Sequence, residues 1–121
     1  MKIVIAGSHS FTNYEFLEEN CNSIIFDELG LEPEDVTIIS GTAKGADTLG
    51  EHYAKEYGMK LHKFPAFWRL HGKSAGMLRN TVMANEADYI ILFDMGTPGT
   101  THMLQQAIKK NVPHRHFLIH E

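Results

Sequence analysis

Residues 2–16, KIVIAGSHSFTNYEF, decide the fold. Lys2 to Ala6 is a β-branched apolar run without polar alternation, the pattern of a strand buried on both faces inside a parallel sheet. Gly7-Ser8-His9-Ser10 is a turn. Thr12 followed by Glu15 has the spacing of a capping box, which predicts a helix start with Thr12 as N-cap. Leu17, Cys21, Ile24, Ile25 and Leu29 then recur at helical period, and Gly30 is a stop signal. A buried strand that feeds a helix through a glycine turn is the opening of an alternating α/β chain.

The same alternation continues downstream. Val36 to Ser40 (VTIIS) reads as a second strand, followed by GTAKGAD at 41–47 and a helix through Ala46, Leu49, Tyr53 and Tyr57 that ends at Gly58. Lys60 to Phe64 (KLHKF) is a third, more polar strand suited to a sheet edge. Pro65 to Asn80, PAFWRLHGKSAGMLRN, holds the sole tryptophan and three of the eleven basic residues. It reads as a ligand-facing loop running into a helix over 74–85 that packs through Ala75, Leu78 and Val82. Asp88 to Phe93 (DYIILF) is apolar enough for the sheet centre. DMGTPGTT at 94–101 is another glycine turn, Met103, Leu104, Ala107 and Ile108 mark a fourth helix, and His116 to Ile119 reads as a last short strand after Pro113. No hairpin signal separates paired runs. The order predicts an α/β, Rossmann-like three-layer sandwich of about five mainly parallel strands with helices on both faces.

Length and composition bound the class. The 121 residues read as one domain over 1–121, with a sizeable core and no biased run. A net charge of −4 disfavours non-specific binding to long nucleic acid. The single cysteine, Cys21, excludes an internal disulfide and sits on the apolar stripe of the first helix, as a buried inert thiol would. The N-terminal apolar run is too short for a signal peptide, and no stretch approaches the roughly 20 apolar residues of a membrane span. A cytoplasmic protein is the expectation.

In an open parallel sheet, ligands bind beyond the carboxyl ends of the strands. Here those ends carry Gly7-Ser8-His9-Ser10, then Gly41 to Asp47, then Trp68 to Arg79, then Gly96-Thr97-Pro98-Gly99-Thr100-Thr101. Glycines near helix starts let backbone N–H groups approach an anion. Lys44, Arg69, Lys73 and Arg79 bring positive charge to the same rim. Phe67 and Trp68 offer flat faces beside it, for a base or for packing the loop. Asp47 either serves its own helix start or accepts from a ribose, and Asp94 has the same two readings. Of eight histidines, His9 and His102 fall on the rim. His114, His116 and His120 lack the partners of common metal sites, so no metal and no cofactor is expected. Neither GxxxxGK[ST] nor GxGxxG is present, which weakens standard NTPase and dehydrogenase readings.

GTAKGAD, FPAFW, GKSAGMLRN and GTPGTT, in that order and spacing, resemble the YspA-type, YpsA-related branch of the SLOG superfamily. That superfamily includes the LOG phosphoribohydrolases and the Rossmann domain of DprA. The resemblance implies a Rossmann-like domain that binds a nucleotide or a nucleotide-derived molecule. Carried over by position, it implies a site of Gly7 and Ser8; of Gly41, Lys44, Gly45 and Asp47; of Trp68, Gly72, Lys73, Gly76, Arg79 and Asn80; and of Gly96, Gly99 and Thr100. His9 joins them from its place on the rim. LOG-type enzymes pair an arginine, matched by Arg79, with a glutamate after a PGGxGT turn. Thr101, His102 and Met103 stand where that glutamate is due, His9 replaces an arginine, and Phe67 replaces an aspartate.

Binding or sensing of a nucleotide-derived small molecule is therefore the first expectation. Glycine turns with Lys73 and Arg79 would hold phosphate, Trp68 would pack on base or sugar, and Asp47 would orient ribose. Hydrolysis of a nucleotide N-glycosidic bond, with Arg79 and Asp47 as the catalytic pair, is the alternative. Single-stranded nucleic-acid binding of the DprA kind is a third, which the acidic charge opposes. The sequence leaves the oligomeric state open; relatives of this kind often dimerise.

Overall fold

The computed structural model describes residues 1–120. Strands β1 (Lys2–Gly7), β2 (Thr37–Ser40), β3 (Lys60–Lys63), β4 (Tyr89–Asp94) and β5 (His114–Leu118) form one sheet in the order β3-β2-β1-β4-β5. Every pairing is parallel, with Val4 beside Ile39 on one side and Ile90 on the other. The α/β Rossmann-like expectation holds. The most apolar runs, β1 and β4, lie at the centre, and the polar β3 lies at an edge.

Alternation along the central strands builds two cores. Ile3, Ile5, Ile38, Ile91 and Phe93 face α1 (Tyr14–Asn22) and α2 (Ala46–Glu56) through Leu17, Cys21, Tyr53 and Ala54. Val4, Ala6, Ile39, Ile90 and Leu92 face α4 (Ala75–Glu86) and α5 (Pro98–Lys109) through Met83, Ala84, Met103 and Ala107. Cys21 is fully buried, and burial pushes its thiol well above the ordinary value, as an inert thiol requires. Between the layers, α3 (Trp68–His71) and a 3-10 turn at Gly72–Ser74 lead into α4. No helix among the described residues is long and apolar enough to cross a membrane.

Expectations for two helices are corrected. Asn13, not Thr12, caps α1: its Oδ1 accepts from Phe16 N at 3.0 Å, and the helix begins one residue later than the Thr12–Glu15 spacing implies. The apolar stripe from Ser23 to Glu28 is a π-helical turn, in which Leu29 N reaches back five residues to Ile24 O at 2.8 Å. The second correction concerns α4. Ala75 is buried as expected, but Leu78 and Val82 are exposed and Asn80 faces inward instead. The inward face is set by Ala75, Met83 and Ala84, all buried, which leaves Leu78 and Val82 on the opposite side of the helix. Asn80 turns inward with them, and its amide donates to the carbonyl oxygen of Gly99 at 3.2 Å, which joins α4 to the start of α5.

Candidate functional site

Chain connections leave β1 and β4 in opposite directions across the sheet, so the crevice between their carboxyl ends is the topological switch point. A cavity of about 380 Å³ opens there. Gly7 and His9 come to it from the end of β1, Asp47 from the start of α2, Arg79 and Asn80 from α4, and Thr97, Gly99 and Thr100 from the start of α5. A second, outer cavity of about 750 Å³ adjoins it and is lined by Lys44, Trp68, Lys73, Gly76 and Met77. His9, Ala43, Arg79, Asn80 and Gly99 stand on the walls of both.

The start of α5 has no side-chain cap. Pro98 occupies the first turn, and Thr97, the N-cap, makes no capping hydrogen bond. Its hydroxyl pairs instead with Thr100 Oγ1 and Ser8 Oγ, each at 2.9 Å. The first-turn N–H groups have no partner within a helix, so those of Gly99 and Thr100 are free to meet a ligand. Asp94 shapes this loop from below. Its Oδ1 accepts from Gly96 N at 2.8 Å and Thr97 N at 3.4 Å, and its Oδ2 meets His116 Nε2 at 2.8 Å. Burial works to raise the Asp94 carboxyl, yet the donors of His116, Gly96 and Thr97 together hold it below its ordinary value. Of its two readings, Asp94 is the structural one.

The loop after β2 is braced differently. Ser40 Oγ donates to Glu51 Oε2 at 2.7 Å and accepts from Thr42 N at 3.1 Å. Thr42 holds φ +63, a left-handed conformation that costs a threonine about 1 kcal/mol. Gly45 has φ +77 and lies so close to the carbonyls of Ser8 and His9 that a Cβ would collide with backbone. The start of α2 already has its negative group: Asp47, almost fully buried, accepts from Ala43 N at 3.2 Å. Burial pushes its carboxyl up to about 6, against the pull of the Ala43 N–H and of Arg79. Of the two nearby helix starts, α5 is therefore the one left for an anion.

Arg79 sits between the two loops. Its Nη1 donates to Gly41 O at 2.9 Å. Its Nε is buried without a hydrogen-bond partner, the one such side-chain atom among the described residues. A buried guanidinium N–H left unpaired is costly unless something arrives to accept from it.

The sequence-derived residues sort by position. Gly7, His9, Asp47, Arg79, Asn80, Gly99 and Thr100 line the inner cavity; Lys44, Trp68, Lys73 and Gly76 line the outer one. Ser8, Gly41 and Gly45 lie behind the walls as framework. Gly72 and Gly96 line neither cavity, and serve turns at φ +54 and +89. Phe67 is largely exposed and faces a separate groove with Pro65, Leu78 and Val82. Sequence reasoning placed Thr97 on the rim and Met103 at the position of the LOG glutamate without assigning either to the site. The hydroxyl ladder Ser8–Thr97–Thr100 joins residues far apart in the chain, and Met103 reads as ordinary helix core. Met103 does line the inner cavity, with Met83 and Ala6 beside it. Among the described residues no three His, Cys, Asp or Glu side chains gather as a metal site.

The sheet order and the cavity at its switch point define a Rossmann-like α/β domain. The chain belongs to the YspA, cpYpsA-related SLOG family, whose model matches residues 1–71. It is 35% identical over 96 residues to the gene 61 protein of Mycobacterium phage D29, covering 72% of this chain and 75% of that protein. No solved structure matches it. The family match takes in the turns after β1 and β2, while Arg79 and the start of α5 lie beyond it.

Proposed function

We propose that residues 1–121 act as one domain that binds a nucleotide-derived small molecule in the two adjoining cavities. The observation that carries this is Arg79, its buried Nε unpaired, lining one cavity with the uncapped start of α5. A phosphate between them accepts from Arg79, from the Gly99 and Thr100 N–H groups and from the Thr100 hydroxyl. Asp47, the carboxylate of the inner cavity, orients a ribose hydroxyl. The base extends into the outer cavity toward Trp68, with Lys44 and Lys73 at its rim. SLOG family membership points to the same ligand class.

Binding is favoured over hydrolysis by one wall. Where the LOG pattern has its glutamate stand Thr101, His102 and Met103, and of these three Met103 is the one that lines the inner cavity. That side cannot stabilise an oxocarbenium ion or activate water. The second reading rests on Asp47. A buried carboxyl raised to about 6 beside an arginine has the proton affinity of a general acid or base, so Asp47 and Arg79 are the pair for N-glycosidic hydrolysis if turnover occurs.

Mass spectrometry of ligands co-purifying with the native protein and with Arg79→Ala tests the proposal. Nucleotides retained by the wild type and lost from the variant are expected. Equal recovery from both refutes the role of Arg79, and no recovery with no thermal shift across a nucleotide panel refutes the binding reading. Release of free base from nucleoside monophosphates, abolished in Asp47→Asn, would replace binding with hydrolysis.

A further inference from the structure

Asn80 is 6% exposed, and it stands where the inner and outer cavities meet. Only one end of its amide is used by the protein. Nδ2 donates to the carbonyl oxygen of Gly99 at 3.2 Å and to His102 Nδ1 at 3.3 Å. Oδ1 makes no hydrogen bond with the described residues. An amide oxygen this enclosed ordinarily has a partner. Asn80 lines both cavities, so that partner comes from the cavity side.

The orientation of the amide is fixed. Gly99 O can only accept, so it faces the NH2 end; a flipped amide would set two oxygens against each other. His102 closes the same choice from a second direction. A ring nitrogen that meets an NH2 group accepts from it, which places the ring proton on Nε2. Burial, and then Lys110, hold the His102 imidazole below its ordinary value, so the ring stays neutral and Nδ1 keeps its lone pair. His102 itself lines neither cavity.

We propose that Asn80 selects a ribonucleotide over its 2′-deoxy counterpart by accepting from the ribose 2′-hydroxyl, and that His102 is the positioning residue that aims it. The inference rests on the nucleotide reading above, with phosphate at the start of α5 and the base toward Trp68. A ligand lying that way passes its sugar through the junction of the cavities. The 2′-hydroxyl is the sugar's donor next to C1′, the carbon that carries the base, so it reaches the junction. Asp47 lines the inner cavity alone and is left the 3′-hydroxyl, on the phosphate side. A 2′-deoxy ligand shields Oδ1 from water yet offers it no donor. A site built around a substrate hydroxyl rejects the analogue that lacks it.

Titration calorimetry on the full chain, with each common ribonucleoside 5′-monophosphate and its 2′-deoxy form, reads the selection directly. Wild type is expected to bind its best ribonucleotide about ten- to hundredfold tighter than the deoxy form. In Asn80→Ala the ratio falls to about one. In His102→Leu it falls as well, and in His102→Asn, whose Oδ1 takes the place of Nδ1, it returns. A merely structural role for either residue would weaken both ligands alike and leave the ratio unchanged. Equal affinity of the wild type for the two forms overturns this inference while the binding reading stands. No binding of either form to the wild type overturns both. A ratio that survives Asn80→Ala or His102→Leu, or that His102→Asn does not restore, also overturns the inference. Should Asn80→Ala fail to fold, the two His102 variants decide the matter.

Discussion

Arg79 Nη1 donates to the carbonyl oxygen of Gly41 at 2.9 Å. The contact ties α4 to the loop after β2 at the boundary of the inner and outer cavities. It spends one end of the guanidinium on the protein, while Nε stays buried without a partner.

Arg79→Ala is expected to weaken nucleotide binding at least tenfold, which is about 1.4 kcal/mol. Arg79→Lys keeps the charge but loses the planar fork, so its affinity falls between the two. Isothermal titration with nucleoside monophosphates measures both. Equal affinity for wild type and Arg79→Ala would remove the arginine from the site.

Two glycines in the same region should respond oppositely to alanine. A Cβ on Gly41 would stand 2.8 Å from Asp47 Oδ2 and 3.0 Å from Arg79 Nε. Gly41→Ala must displace both and should cost about 1–3 kcal/mol. Gly99 has nothing within 4 Å of its Cβ position and lies inside α5. Gly99→Ala should gain about 0.5 kcal/mol from helix propensity. Urea unfolding of the two variants checks the contrast.

Asp47 sets an unusual pH dependence. Its folded value, about 6, lies above its ordinary 3.8, so the native state binds more protons than the unfolded chain between those values. Stability from this group is full below pH 4 and falls as pH rises to about 6, by about 3 kcal/mol in all. Asp47→Asn keeps an acceptor for Ala43 N and removes the buried charge. Its denaturation midpoint should be flat across that window and higher than wild type at neutral pH.

Asp94 has the opposite sign. Its carboxyl is held below the ordinary value, so its contribution is present above that value and lost as pH falls through the folded one. Asp94→Ala strands the Gly96 and Thr97 N–H groups and the His116 ring, at a cost of about 2–4 kcal/mol. The loop that opens α5 loses its brace, so nucleotide affinity should fall with stability. Thermal melts with and without ligand report both effects.

Much of this was legible in the chain. The unbroken apolar runs of β1 and β4 and the polar edge strand β3 read directly, because a strand's neighbours dictate its composition. The rim turns read as well, since glycine before a helix start is a local signal. The α4 face did not read. Hydropathy turns Leu78 and Val82 inward, but Ala75, Met83 and Ala84 take the buried face, and Asn80 with them meets Gly99, a partner nineteen residues away. Nor did local sequence separate the two helix starts, one already supplied by Asp47 and one left open.

The sequence by itself determined the alternating α/β fold and which turns meet at the carboxyl edge, because periodicity and turn chemistry act over a few residues. The tertiary structure decided which of those helix starts is left uncapped, where Arg79 spends its hydrogen bonds, and which side of α4 is left bare. Those outcomes depend on hydrogen bonds and contacts between segments distant in the chain, and no local pattern encodes them.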